Sequence, residues 1–106
     1  MRIFLILCIY LMSGCGYTTD ANPADEAKPY IGLQEQQDRQ ELKAFLGIDP
    51  VRTEWCAAFV NAVLELNETP SLNTLNHPHP LLARSFLDWG SSINPQDIEY
   101  GDLVIF

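Results

Sequence analysis

The chain has 106 residues, room for one domain, and its 47% hydrophobic and 19% charged composition belongs to a globular protein. Fourteen acidic against six basic residues give a net charge of −8. No cluster of Lys and Arg occurs, so the electrostatic footprint of nucleic-acid binding is missing, and that class of partner is excluded.

In chain order, Arg2 and the terminal amine precede an unbroken run of ten apolar residues, 3–12. A bilayer crossing needs about 20 residues, so this run matches the core of a secretory signal. Ser13, Gly14 and Cys15 follow. The stretch resembles the lipobox of bacterial lipoproteins, with Met12 where Leu is preferred. The resemblance implies a signal peptide over residues 1–14, a lipid-modified Cys15 as membrane anchor, and a place in the bacterial cell envelope. Gly16 in the second mature position implies the periplasmic face of the outer membrane. Residues 15–32, rich in Pro, Ala, Thr and acid without sustained periodicity, are expected to be a flexible tether.

The domain proper is expected over residues 33–106. Strong helix formers ending at Gly47 predict a helix over 33–47, with Leu42, Phe45 and Leu46 as its only buried stripe. Residues 48–53 form a turn containing Pro50. From Trp55 to Leu66 the apolar positions fall at helical spacing, which predicts the main core helix with Thr53 as its N-cap. Asn61 is expected on that helix's exposed polar face or as a bridge to a strand. Residues 67–80, stocked with Asn and Pro, are loop. A second helix is predicted over 80–90, with Pro80 near its start, Leu82, Phe86 and Trp89 as its stripe, Arg84 and Asp88 as an ion pair, and Gly90 as its stop. Asp102 is expected to bond turn N–H groups, and 102–106 (DLVIF) to be a strand buried on both faces.

Cys56 is where chemistry is expected. Cys8 leaves with the signal and Cys15 takes the lipid, so Cys56 remains as the odd thiol of an exported protein. A helix N-terminus favours the thiolate over the thiol, through its free N–H groups and macrodipole, and the same N–H groups can stabilise an oxyanion. Trp55 is the candidate wall of a substrate cleft. The alternative is a buried cysteine serving only as packing in a non-enzymatic envelope lipoprotein.

Three blocks, TEWCAAFVNAVLE, ARSFLDWG and YGDLVIF, occur in that order within residues 48–106. They resemble the CHAP and NlpC-type cysteine peptidases and amidases that cut bacterial peptidoglycan. The resemblance implies a papain-like α+β fold with helices packed on an antiparallel sheet. It also implies Cys56 as nucleophile on an amide of a peptidoglycan peptide, with no metal or other cofactor. In that family the histidine base follows the GDLVIF-like strand. It would lie beyond Phe106 here, so the chain is expected to be the front part of the domain, lacking most of the sheet and largely inactive. His77 and His79, in a Pro-punctuated HPHP loop, lack the paired-ligand spacing of a zinc site and are expected to have no role.

Overall fold

A computed structural model describes residues 22–106. The expected signal peptide and lipid-modified Cys15, and the first part of the expected tether, lie outside the described residues. Among the described residues three α-helices carry the fold: α1 (Pro23–Ala27), α2 (Arg39–Leu46) and α3 (Cys56–Leu66). Short 3-10 helices at Lys28–Tyr30, Ala83–Asp88 and Pro95–Asp97 complete it. None of these helices is long and apolar enough to cross a membrane.

Both α1 and α2 pack on α3. Pro23 stands at the first turn of α1, where its missing N–H costs nothing, and Asn22 Oδ1 accepts from the Ala24 N–H at 2.9 Å. Tyr30 then stacks on Phe45 of α2 with ring centroids 3.9 Å apart, and Phe59 of α3 meets both rings edge-on at 6.0 and 5.9 Å. Residues 23–30, expected within the tether, are therefore helical and held against the domain. A second tie joins them to the turn before residue 102. Asn22 Nδ2 donates to Tyr100 O at 2.8 Å, and Tyr100 Oη donates to Asp25 Oδ1 at 3.0 Å. Gly101 has φ +99°, and the Asn22 side chain occupies the place a Cβ would take. Composition gave no hint of this, because the partners are 75 and 78 positions apart.

Helix α2 is shorter than the predicted span and ends as expected. Gly47 takes the left-handed conformation at φ 74°, and its N–H reaches Lys43 O. Leu42 is fully buried. Helix α3 buries Ala57, Ala58, Asn61, Val63 and Leu64. Ala57 and Leu64 meet Leu72 and Phe86 in the core, with Val60, Trp89, Leu103 and Ile105 packed around them.

Asn61 overturns its expectation: it is 0% exposed. Its Oδ1 accepts from the Leu72 N–H at 3.0 Å and its Nδ2 donates to Pro80 O at 2.7 Å. The residue bridges helix to loop, not helix to strand. Residues 80–90 do not form the predicted α-helix. The Pro80 carbonyl, which in an α-helix would accept from the Arg84 N–H, accepts from the Asn61 side chain. The chain stays extended at Leu82 and tightens into the 3-10 helix Ala83–Asp88, with Phe86 and Ser85 buried. Asp88 pairs with His77 at 3.0 Å instead of with Arg84.

The α+β, papain-like arrangement is also corrected. Among the described residues there is no strand and no sheet. A strand exists only by pairing its N–H and C=O groups with another, and no backbone hydrogen bond to residues 103–106 is formed among the described residues. The expected two-sided burial fails as well. Leu103 and Ile105 are half-buried against the core, whereas Val104 is 51% exposed and Phe106 fully so.

Replacing Asn61 by Ala strands two backbone groups, the Leu72 N–H and the Pro80 carbonyl, without polar partners. An unmet buried group costs about 1–3 kcal/mol, so Asn61→Ala is expected to lower stability by about 2–4 kcal/mol. Urea unfolding read by Trp fluorescence checks this. A loss under about 0.5 kcal/mol, the usual scale of a surface change, would contradict the bridge.

Candidate functional site around Cys56

Helix α3 begins at Cys56 itself, one residue after Trp55 in the capping position. Thr53, the expected cap, makes no side-chain hydrogen bond to the helix. Its N–H instead closes a turn on Asp49 O at 3.1 Å. The first intrahelical bond runs from the Phe59 N–H to Trp55 O at 2.8 Å. That leaves the N–H groups of Cys56, Ala57 and Ala58 without acceptors among the described residues, as at any helix start. The Cys56 thiol is free and exposed, so it is not the buried packing residue of the alternative reading.

A hollow of about 570 Å³ opens at this helix start, lined by Trp55, Cys56, Ala57, Leu81, Ala83, residues 50–54 and Glu35. Cys56 also borders a smaller hollow of about 250 Å³ with Val60, Phe86 and residues 103–106. Trp55 is half-buried. Its ring meets Phe59 edge-on at 6.0 Å, and its Nε1–H donates to Glu35 Oε2 at 3.2 Å. Leu81 and Ala83 reach the hollow from the segment that Asn61 holds through Pro80.

The floor formed by residues 49–53 is organised by Asp49. Its Oδ1 accepts from the Val51 N–H at 3.1 Å and from Arg39 Nε at 3.0 Å, while Oδ2 accepts from Arg39 Nη2. The Arg39 guanidinium lowers the Asp49 carboxyl pKa below its ordinary value; the partial burial of Asp49 opposes this and the Val51 N–H assists it. Pro50 is buried beneath the same turn.

Neither histidine reaches this site. Neither His77 nor His79 lines either hollow at Cys56. His77 Nδ1 accepts from the His79 N–H at 3.0 Å, which places the ring proton on Nε2, directed at Asp88 Oδ2. Asp102 does what its turn position suggested: Oδ2 accepts from the Glu99 N–H at 2.7 Å. Among the described residues no group of three His, Cys, Asp or Glu is placed to hold a metal ion.

Cys56 and Trp55 both line the hollow of about 570 Å³. Glu35 was missed, and nothing local marks it, since its partner Trp55 lies twenty positions on. No family model, curated protein or solved structure matches the chain.

The Asp49 clamp sets an acid limit on the floor of the hollow. Because the folded-state pKa is depressed, its contribution to stability is present above the unfolded-state value and lost as pH falls through the lower folded value. No loss is expected from about pH 5 upward. Carboxyl NMR titration is expected to place Asp49 below the ordinary value of about 3.9, and Arg39→Gln to raise it. An Asp49 midpoint at the ordinary value in the unmutated chain would contradict the clamp.

Proposed function

We propose that this chain is a lipid-anchored envelope protein that acts on the peptides of peptidoglycan, with Cys56 as nucleophile on an amide bond. The observation that carries the reading is the exposed Cys56 thiol at the first residue of α3, opening on a hollow walled by Trp55. The likeness of the three sequence blocks to CHAP and NlpC-type amidases supplies the substrate class. The lipobox-like stretch before Cys15 supplies the anchor.

The chemistry follows from the groups present. Sγ attacks the carbonyl carbon, and the carbonyl oxygen becomes an oxyanion within reach of the free N–H groups at the start of α3. The C–N bond then breaks, and the amine leaves with the thiol's proton. Water hydrolyses the resulting thioester to a carboxylate and returns the thiol. Every proton transfer in this sequence is helped by a base, and general-base help is worth about 10²–10⁴ in rate. Neither histidine of the chain provides it here. Activated acyl donors, which need little help, are therefore expected to acylate Cys56, while unactivated amides turn over slowly.

The placement of both histidines away from Cys56 favours a second reading, in which the domain holds cell-wall peptide without cutting it. One experiment separates the two. Intact-mass analysis after incubation with an activated thioester of a peptidoglycan stem peptide is expected to show one acyl adduct, on the Cys56 peptide and absent from Cys56→Ala. Added imidazole is expected to speed amide cleavage at least tenfold by supplying the base. Stem peptide that binds, with no adduct and no rescue, would establish the binding reading instead.

A further inference from the structure

The wall of the hollow is held from two sides. On one side Trp55 meets the edge of Phe59, which itself sits against Phe45 and Tyr30. On the other, Glu35 Oε2 accepts from the indole Nε1–H at 3.2 Å. The contact with Phe59 limits where the ring lies, and the hydrogen bond decides which way its polar edge points. Glu35 is not spent by that bond. Its second oxygen, Oε1, has no hydrogen-bond partner among the described residues, and the side chain lines the hollow.

The charges around the thiol are unequal. Glu35 and Glu54 line the hollow with a single guanidinium, that of Arg52, and no Lys. Arg52 is shared with a third carboxylate: its Nε lies 3.9 Å from Asp49 Oδ2, which also pairs with Arg39. Arg52 is largely exposed, at 82%, and Glu35 is exposed too, so solvent screens both; what sets Glu35 apart is its hydrogen bond to the Trp55 indole. A carboxylate fixed by a hydrogen bond at the wall is a better-placed charge than a mobile guanidinium.

We propose that Glu35 determines the specificity of the Cys56 hollow, holding Trp55 as its wall and favouring acyl donors that carry an ammonium group beside the scissile amide over those that carry a carboxylate there. This rests on the reading of Cys56 as the nucleophile. Stem peptides offer both groups, as free amines and as acidic side chains, so the preference chooses among the bonds within one substrate class.

The test uses the full chain and three methanethiosulfonates that modify thiols through the same chemistry: a trimethylammonium-ethyl cation, a sulfonato-ethyl anion and the neutral methyl compound. Rates are read at the Cys56 peptide by mass spectrometry. In Glu35→Gln, whose amide oxygen still accepts from Trp55, the cation-to-anion rate ratio is expected to fall about fivefold, with the neutral rate unchanged. Glu65→Gln, the same change of charge at the far end of α3, is expected to leave the ratio unaltered. Glu35→Ala is expected to lower the ratio and also to change the near-ultraviolet circular dichroism of Trp55, which Glu35→Gln preserves. A ratio unmoved in Glu35→Gln, or moved equally by Glu65→Gln, would overturn the proposal. Because the readout is modification of the thiol, a chain that never hydrolyses an amide still yields it, and failure of the proposed activity is distinguishable from failure of the charge preference.

Discussion

One buried amide organises most of what surrounds the thiol. Asn61 points from α3 into the loop of residues 67–80 and holds it at two backbone groups eleven and nineteen positions away. The Leu72 N–H is buried and the Pro80 carbonyl half-buried, and leaving such groups unpaired is costlier than the bonds are favourable. Through Pro80 the same amide holds the start of the segment that carries Leu81 and Ala83, and through Leu72 it seats a core residue that is 1% exposed. Leu81 and Ala83, which face Cys56 across the hollow, follow directly from Pro80. The site is thus a consequence of how the loop is fastened, five residues along the same helix from the thiol.

The opposite side of α3 is held differently. There the ties are aromatic: Tyr30 on Phe45, both against Phe59, and Phe59 against Trp55. This chain of rings links α2 and the segment after α1 to the wall of the hollow. Apolar contacts of this kind fix distance more than direction, and hydrogen bonds at Glu35 and Asp49 supply direction at the two places where it matters. The polar ties and the rings divide the work between orientation and packing.

The elements legible in the sequence were those whose causes are local. Helix α3 announced itself by spacing, Gly47 by its position after Leu46, and the turn at Asp49 and Pro50 by residue type. Cys56 and Trp55 were visible because oddness of a cysteine and adjacency need no tertiary knowledge. What escaped had distant causes. The Pro80, Leu82, Phe86 and Trp89 pattern is a sound helical pattern, yet Leu82 is extended and only a 3-10 helix follows it, while Pro80 is held by a side chain nineteen positions earlier. Asn61 looked like a polar face because nothing in its neighbourhood names its partners. Residues 23–30 had the composition of a tether, but Tyr30 finds Phe45, and Asn22 finds Tyr100. DLVIF read as a strand buried on both faces, but half-buried and exposed positions alternate along it, and strand pairing depends on a partner that no described residue provides.

The most direct test of Cys56 as a reactive group is its own rate of alkylation by iodoacetamide near neutral pH, resolved at the Cys56 peptide, in the folded chain and in urea. Folding that assembles a nucleophile's site makes the thiol react faster folded than unfolded, by several-fold at least. A thiol that reacts more slowly when folded is one the fold merely covers, and that result would contradict the central claim.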